Sequence, residues 1–541
     1  MPVKVTPLPT ADCYPITVAP GLSRLFLDCC AGSSAVRNFY GSGINENWQR
    51  RPAPSPHRPE IIELLAEQNT QSSAASALES LRQGAGTVVT GQQVGLFGGP
   101  LFTPFKAATA LARARQASAA GAPHVAIFWL ASEDHDFAEV NHVTFPSRHE
   151  LRKLEYTQAP TAAVPVGSLI FDDSIEPLLD EASELLGFSD ALEALAAAYQ
   201  PGRTFAQAFA EFYSKVFAAQ GLLVLDAESR RAHGLGAPVL QAAIERADEL
   251  HTALIERNRA LESAGYHAQV AVAPQSSLLF LIDSKSDARV ALKRLAPSAA
   301  EPNGLWHAGR DRLSTADLLG ILASEPERIS PSALLRPIFQ DFLLSTSLTI
   351  GGPAEIAYFA QSAVLFERIL GHMTPVHPRF SATLIVPEVA DLLRRHDLSL
   401  DRVFSETQDG LAHLLAARAM PVDGKRKLSA AGSALDAELT PLLEWMHAAD
   451  AGLGRSAETA ADKMRYQMNR LRRLAANFQL QKEASLSRHA AAIHQALYPG
   501  GHLQERVHGA AWYFAHHGFS LAEELVDQAG KACPEHTALW L

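Results

Sequence analysis

The sequence predicts an α/β fold built around a parallel sheet, and three stretches of the chain support this prediction. Residues 86–106, GTVVTGQQVGLFGGPLFTPFK, have the pattern of a buried strand, a glycine-rich loop and the start of a helix. Residues 124–130, HVAIFWL, form a continuous apolar run of strand length, which is typical of a strand buried on both faces. Residues 347–370 repeat the order of strand, Gly-Gly-Pro turn and helix.

The composition describes an ordinary globular chain and restricts its partners. Hydrophobic residues make up 47% and charged residues 19% of the chain, which is typical of a globular protein. Its length of 541 residues is enough for roughly three or four domain-sized units. The net charge of −11 argues against nucleic acid as a partner, because phosphate contacts need concentrated Lys and Arg. No segment approaches the roughly 20 apolar residues of a membrane span, so we expect neither membrane insertion nor secretion.

The four cysteines, Cys13, Cys29, Cys30 and Cys533, form no C-x-x-C pair and have no histidine at zinc spacing. We interpret them as reduced thiols. That interpretation favours a cytoplasmic location.

The N-terminal residues 1–59 are predicted to be irregular, and they end in a stiff, proline-rich segment, RPAPSPHRP. A helix is predicted from Glu60 to Arg82, with an apolar face that a serine-rich stretch interrupts. Pro100 fits the first turn of the helix after the glycine-rich loop, which is predicted to continue to Ala120.

The strands at 87–89 and 124–130 and the helix between them form a β-α-β unit, which places the carboxyl ends of both strands at one edge of the sheet. Gly98 and Gly99 free the backbone there, so that N–H groups at the helix start can bind an anion. The alternative is a glycine-rich turn without a ligand, because such a motif is weak when it stands alone.

The second strand runs into ASEDHDFAEVNHV at 131–143, where Asp134, His135 and Asp136 are consecutive. A histidine beside carboxylates is a candidate general base, because a neighbouring carboxylate can orient its ring. Two alternatives remain open. His135, His142 and Glu139 could hold a metal ion, although their spacing matches no zinc motif, or the cluster is a solvated loop.

Residues 145–310 are predicted to be a mixture of core and insertion, with 284–313 polar and rich in turns. The predicted strands are 166–171, 221–226, 268–273 and 277–283, and the predicted helices lie near 175–186, 204–219 and 237–264.

The second strand–turn–helix unit has its strand at 347–350, its turn at Gly351-Gly352-Pro353 and its helix at 354–370. Because it repeats the device at Gly98, the two helix starts could face one crevice and hold two anionic groups.

After Pro387 the chain is predicted to be almost entirely helical, with a connecting region at 387–454 and a coiled-coil region at 455–541. Small or apolar residues alternate there at spacings of four and three, which is typical of a coiled-coil seam: Ala457, Ala461, Met464, Met468, Leu471, Ala475 and Phe478. An amphipathic helix packed on its own domain explains so short a seam equally well. Two further helices in 500–526 are predicted to join at Gly518.

Four blocks of the sequence together resemble the bacillithiol biosynthesis cysteine-adding enzyme family, BshC. They are VVTGQQVGLFGGPLFTPFKAATALA, IFWLASEDHDFAEVNHV, LLRPIFQDFLLSTSLTIGGPAEIAYFAQ and LQERVHGAAWYFAHHGF, in that order. The resemblance implies a Rossmann-like core at 60–386, similar to that of class I aminoacyl-tRNA synthetases, with helical insertions. It also implies a C-terminal coiled coil that pairs two subunits into a homodimer.

The resemblance further implies a ligase that joins cysteine to the amine of glucosaminyl malate. Amide formation needs an activated carboxylate, so ATP with magnesium is an expected co-reactant, and Lys106 with the glycine turn would suit its phosphates. No tightly bound cofactor or metal is expected. Clean HIGH-type and KMSKS-type signatures are absent, since GKRKLS at 424–429 is only a faint likeness and lies in the helical region.

The remaining candidate residues follow from the chemistry of these substrates. Arg336 is expected to bind the malate side or to form a salt bridge within the fold, and Glu355 to hold the cysteine ammonium. Gln92 and Gln93 are candidates for sugar hydroxyls, Gln340 and Gly352 lie in the matching block, and His135 or Asp136, beside Asp134, is the expected base.

Two other functions remain open from the sequence. One is an adenylate-forming or nucleotidyl-transferring synthetase that acts on another small acid. The other is a non-catalytic interaction protein in which the coiled coil recruits a partner.

Overall fold

The computed structural model describes residues 10–41, 48–49, 55–147, 150–295, 304–531 and 535–541. The chain divides into two compact units. The larger unit consists of residues 12–382 and 505–537, and the smaller one of 383–504 with the two ends of the chain. The sequence pattern groups 455–541 together, whereas the contacts place 505–537 in the larger unit.

The strands are β1 (Thr10–Tyr14), β2 (Gly86–Gln92), β3 (His124–Leu130), β4 (His142–Pro146), β5 (Leu151–Glu155), β6 (Leu223–Asp226), β7 (Ser276–Ile282), β8 (Arg289–Leu295), β9 (Leu305–Ala308), β10 (Asp311–Leu313), β11 (Ile329–Pro331), β12 (Thr346–Gly351), β13 (Val376–Pro378), β14 (Ser381–Ile385) and β15 (His536–Trp540).

The helices up to the end of the core are α1 (Arg24–Cys30), α2 (Ser34–Arg37), α3 (Arg58–Gln68), α4 (Ala75–Arg82), α5 (Phe102–Ala119), α6 (Phe137–Val140), α7 (Ile175–Leu186), α8 (Asp190–Ala198), α9 (Phe205–Val216), α10 (Arg230–Glu245), α11 (Ala247–Ser263), α12 (Thr315–Ser324), α13 (Arg336–Leu344) and α14 (Pro353–Ile369). They are followed by α15 (Pro387–His396), α16 (Leu400–Phe404), α17 (Gln408–Ala419), α18 (Val422–Ala449), α19 (Ala451–Lys482), α20 (Ala484–Leu497), α21 (Gln504–Val507), α22 (Ala510–His517) and α23 (Ser520–Gly530).

The centre of the larger unit is a five-stranded parallel sheet of order β13-β12-β2-β3-β6. All seven residues of β3 are buried, as its apolar run predicts. Ile127 and Trp129 belong to the core on one face, and Phe128, on the other face, stacks on Tyr213 of α9 at 5.7 Å between ring centroids. The predicted parallel α/β core and its β2-α5-β3 unit are therefore confirmed.

A second sheet in the larger unit is antiparallel, with the order β10-β9-β8-β7-β11. It occupies 276–331. The predicted strand at 277–283 is confirmed as β7, whereas β8, β9 and β10 lie in 284–313, which the sequence predicts to be polar and rich in turns. The predicted strand at 268–273 is wrong, because β7 pairs with β8 and β11 instead. The predicted strand at 166–171 is also wrong, since Val166–Ser168 form a 3-10 turn.

The predicted helix from Glu60 to Arg82 is broken at Asn69, between α3 and α4, because Asn69 and Gln68 turn toward the edge strand β6. The Asn69 side chain donates to the carbonyl of Val224 at 2.7 Å and accepts from its N–H at 2.8 Å. Gln68 makes the same pair of bonds with Asp226, at 2.8 Å each. Two consecutive amide side chains thus occupy the hydrogen-bonding positions that a sixth strand would use.

The prediction that all four cysteines are reduced is wrong for Cys13, which is disulfide-bonded. Cys29 and Cys30 are free thiols, and Cys533 lies outside the described residues.

The smaller unit is helical, and its two long helices α18 and α19 pack against each other. Ala461 faces inward and is 1% exposed, whereas Met464, Leu471 and Phe478 are 49%, 53% and 67% exposed. The predicted seam therefore divides between an inward face and an outward apolar stripe. In the described part of the chain, no helix is both long and apolar enough to cross a membrane.

Replacing Asn69 with Ala should open the edge of β6. The Val224 N–H and carbonyl lose their partners, which costs about 1–3 kcal/mol for buried polar groups, and exchange of the Val224 amide should accelerate roughly 5- to 150-fold. Hydrogen–deuterium exchange of peptides covering 221–227 measures this. Ser72→Ala, an exposed position in the same segment, is the control, and equal exchange in both variants would contradict the role of Asn69.

Candidate active site

Seven charged side chains of the larger unit line a cleft of about 310 Å³. It lies at the carboxyl edge of the parallel sheet, where open α/β sheets bind ligands. The ends of β2, β3 and β12 and the first turns of α5, α13 and α14 form its walls. Eight candidate residues that the sequence predicts line this one cleft: Gln92, Gln93, Lys106, Asp134, Arg336, Gln340, Gly352 and Glu355.

Gly98 and Gly99 do not line the cleft. The Gly98 N–H donates to the Tyr199 hydroxyl at 2.9 Å, and the Gly98 carbonyl accepts from Tyr213 at 2.6 Å. Gly98 has a φ of +82°, and a Cβ there would lie 2.5 Å from the ring of Phe212. This turn therefore serves close packing, and it presents no free N–H of Gly98 to an anion, in contrast to the sequence prediction.

Lys106 is 3% exposed and uses all of its donors within the fold. Its ammonium group donates to the carbonyl of Gly91 at 2.8 Å and to Gln92 Oε1 at 2.9 Å, and it pairs with Glu355 Oε2 at 2.5 Å. Burial lowers the pKa of Lys106, and the Glu355 charge opposes that shift. An ammonium group has three protons, so Lys106 keeps none for a phosphate.

Glu355 also caps its own helix. Its Oε2 accepts from the Gly352 N–H at 2.7 Å, so the start of α14 already carries a negative charge. No hydrogen bond of Oε1 is present among the described residues, and this oxygen remains available to a ligand in the cleft. The second Gly-Gly-Pro turn therefore lies at the cleft, but the Glu355 carboxylate at its helix start favours a cation there and not the predicted anion.

Asp134 lies between two arginines. Its Oδ2 pairs with Arg336 Nη1 at 3.0 Å, and its Oδ1 lies 3.8 Å from Arg289 Nη1. Burial would raise the pKa of Asp134, but the charges of Arg336 and Arg289 outweigh it and lower that pKa. Asp134 is therefore held as a carboxylate that accepts a proton poorly.

Arg289 lies beside Asp134, just outside the cleft lining, and the sequence analysis missed it. It extends from β8, donates to Ser330 Oγ at 3.0 Å and to the Pro331 carbonyl at 2.8 Å, and lies 3.8 Å from the centre of the Phe280 ring. Its position beside Asp134 depends on the antiparallel sheet, which no local pattern around residue 289 predicts.

His135 does not line the cleft, and its Nδ1 lies 3.2 Å from Arg289 Nη1. A guanidinium group can only donate, so the lone pair of Nδ1 must accept this bond. Burial and the Arg289 charge lower the pKa of His135, which keeps the ring neutral at neutral pH. Nδ1 is therefore engaged, so only Nε2 of His135 could accept a proton, and the side chain lies outside the cleft lining. Asp136, the other predicted base, is exposed and also lies outside the cleft lining.

The rest of the loop after β3 is fixed in the same way. The Ser132 hydroxyl donates to Asp226 at 2.6 Å, and Glu133 pairs with His233 at 3.1 Å. Among the described residues, no three His, Cys, Asp or Glu side chains are arranged to hold a metal ion. The metal alternative for His135, His142 and Glu139 therefore has no support in the structure.

Arg379 and Glu505 form a second feature that the sequence analysis missed. Arg379 lines the cleft beside Gly352, and its guanidinium pairs with Glu505 at 2.6 and 3.1 Å. Both side chains are at most 3% exposed. Glu505 also accepts from Ser381 Oγ at 3.1 Å and from the Ala382 N–H at 3.2 Å. The returning segment 505–537 thus completes one wall of the cleft.

Comparison with known proteins places both parts of the chain in one family. Residues 10–380 match the family described as "Bacillithiol biosynthesis BshC, N-terminal Rossmann-like domain". Residues 382–541 match "Bacillithiol biosynthesis BshC, C-terminal coiled-coil domain". The predicted Rossmann-like core and C-terminal coiled-coil domain are confirmed by these matches.

Curated relatives align with nearly the whole chain. A protein of Koribacter versatilis is 40% identical over 98% of this chain and 99% of its own length. Relatives from Solibacter usitatus and Salinibacter ruber are 35% and 32% identical, over 96% and 93% of this chain and 98% and 93% of their own lengths. All three carry the name "Putative cysteine ligase BshC".

Glu505→Gln should destabilise the larger unit at neutral pH by roughly 3–5 kcal/mol, because it leaves Arg379 buried without an anion. Burial would raise the pKa of Glu505, but Arg379 lowers it below the ordinary value of 4.5. The ionised pair therefore stabilises the wild type fully above pH 4.5, and this contribution is lost as the pH falls through the lower folded-state pKa.

The thermal unfolding midpoints of wild type and Glu505→Gln, measured from about pH 3 to pH 7, test this expectation. The difference between the two proteins should be constant near neutral pH and should shrink below pH 4.5. Glu176→Gln, on the exposed side of α7, is the control. A difference that does not change with pH would contradict the assignment.

Proposed function

The chain belongs to the bacillithiol biosynthesis BshC family, and from that premise we propose that it joins the carboxyl group of cysteine to the amino group of glucosaminyl malate. The observation that supports this proposal is the cleft at the carboxyl edge of the sheet, where fixed carboxylates and cations surround one cavity. The names of the full-length relatives give the same class of reaction. We also propose a cytoplasmic location, where both substrates would be found.

The cleft offers a group for each part of these substrates. Glu355 Oε1 is suited to the ammonium of cysteine, because the other oxygen is already fixed by Lys106 and Gly352. Gln92 and Gln340 are suited to the hydroxyls of the sugar, since an amide side chain can both donate and accept. Arg336 retains N–H groups beyond the one that it donates to Asp134, and these can bind a carboxylate.

Amide formation from a free carboxylate needs an activating co-reactant, and we propose ATP with magnesium on these chemical grounds. The groups expected to hold its phosphates do not fit them in this structure. Lys106 is saturated, Gly98 is turned into the core, and the start of α14 is capped by Glu355. None of these groups is therefore free to hold the nucleotide.

We further propose that the helical hairpin α18–α19 pairs two copies of the chain. Large apolar side chains are exposed along it, among them Trp445 at 63% and Phe478 at 67%. Met464, Leu471 and Phe478 are spaced seven residues apart, so they lie on one face of α19. An apolar stripe at this spacing favours a partner helix with the same stripe, and a second copy of the hairpin provides one.

The ligase activity is tested by incubating the purified protein with cysteine and glucosaminyl malate, with and without ATP and magnesium. We expect a product whose mass equals the two substrates less one water, and only when ATP is present. Product without ATP would overturn the proposed co-reactant alone. The absence of product under every condition, including replacement of cysteine by other small acids, would overturn the ligase assignment.

The pairing of subunits is tested with the triple variant Met464→Glu, Leu471→Glu and Phe478→Glu. Wild type should have twice the chain mass by light scattering after size-exclusion chromatography, and the variant should have the mass of one chain, because charges on the stripe prevent burial. Ile170→Glu with Phe188→Glu, exposed apolar positions outside the hairpin, is the control. A wild-type monomer or a dimeric triple variant would contradict the proposal.

A further inference from the structure

The charged side chains of the cleft are of two kinds, those with an ion-pair partner in the fold and those without one. Three cations have a carboxylate of the fold beside them: Lys106 with Glu355, Arg336 with Asp134, and Arg379 with Glu505. Within each pair, the positive and the negative charge neutralise each other. Two charged residues of the cleft lining remain outside the pairs, Glu139 and Arg506.

Glu139 is the carboxylate of the cleft that has no cation. It lies on α6, and its Oε2 accepts from the Gln93 amide at 3.0 Å. No ion pair of Glu139 exists within the residues that the structure describes. The hydrogen bond from the neutral Gln93 amide orients the Glu139 carboxylate and leaves it without a counter-charge.

Arg506 is the cation of the cleft that has no carboxylate. It is exposed, its guanidinium lies 5.9 Å from the centre of the Phe102 ring, and it makes no ion pair with any described residue. Arg379 and Lys106 lie at 5.6 and 6.0 Å from the same ring. Because Glu505 is fixed by Arg379, Ser381 and Ala382, the backbone that carries Arg506 is held at the cleft.

We propose that Glu139 and Arg506 form the docking site for the acceptor substrate, an amino sugar that carries carboxylates. Arg506 binds a carboxylate of that substrate, and Glu139 receives its amino group. The inference rests on the proposed ligase function. A ligand with only an amine or only a carboxylate satisfies one of these two groups and leaves the other unpaired.

Glu139 also takes the proton that amide formation releases. The ammonium form of the acceptor first loses one proton to solvent, which frees the nitrogen lone pair. The nitrogen then forms a bond to the carboxyl carbon of cysteine, an oxygen leaving group departs from that carbon with its bonding electrons, and the second proton of the nitrogen passes to Glu139. The other candidate bases are less well placed. Asp134 and Glu355 are paired with cations, and His135, whose Nδ1 accepts from Arg289, does not line the cleft.

The docking role of Arg506 is tested by titration calorimetry of glucosaminyl malate, glucosamine and malate. Arg506→Gln should weaken glucosaminyl malate by roughly 10- to 150-fold, as expected for a hydrogen bond to a charged group, and should leave glucosamine unchanged. Arg310→Gln, an exposed arginine in the turn between β9 and β10, is the matched control. Equal affinities of these two variants for glucosaminyl malate would overturn the assignment of Arg506.

The role of Glu139 is tested by steady-state kinetics of Glu139→Gln and Glu139→Asp. Glu139→Gln should lower kcat by about 10²- to 10⁴-fold with a KM for cysteine near that of wild type, and Glu139→Asp should recover part of the loss. Glu176→Gln is the matched control. A kcat of Glu139→Gln equal to that of the control would overturn the base assignment.

The two proposals fail in different ways. If wild type binds glucosaminyl malate through Arg506 but forms no amide under any condition, the ligase function fails and the docking site stands. If wild type forms the amide and Arg506→Gln binds the acceptor as wild type does, the docking site fails and the ligase function stands.

Discussion

A charge buried at the carboxyl edge of the parallel sheet must have an opposite charge beside it, and this constraint shapes the whole cleft. An isolated buried ion costs several kcal/mol, a large fraction of the stability of a folded unit. Lys106, Arg336 and Arg379 therefore each lie against a carboxylate from a different element. These pairs join α5 to α14, α13 to the loop after β3, and the segment after β13 to the returning segment.

The same constraint limits what the paired residues can do for a ligand. A lysine whose three protons are engaged is a structural part of the wall, although its position on the helix after a glycine-rich loop resembles a phosphate-binding lysine. Recognition then depends on groups that keep a free atom, such as Glu355 Oε1, and on Glu139 and Arg506, which form no ion pair among the described residues. The paired residues therefore form the walls of the cleft, and the unpaired groups are the ones that can bind a ligand in it.

The sequence predicts those parts of the structure whose cause is local. The apolar run of β3 and the strand–turn–helix units at β2 and β12 have local signals, and their carboxyl ends meet as parallel topology requires. Arg289 and Glu505 were missed because their partners, His135 and Arg379, lie 154 and 126 residues away. Gly98 was misread because its hydrogen-bond partners, Tyr199 and Tyr213, lie 101 and 115 residues away. The break at Asn69 was missed for the same reason.

The amide side chains of Gln68 and Asn69 have a consequence beyond the strand that they cover. A bare edge strand is a template on which another chain can add a strand, and proteins protect such edges with charges, bulges or short strands. Here two neighbouring side chains saturate the N–H and carbonyl groups of Val224 and Asp226. The sheet is thereby closed to intermolecular growth on this side, so a concentrated solution of the protein is protected against edge-to-edge aggregation at β6.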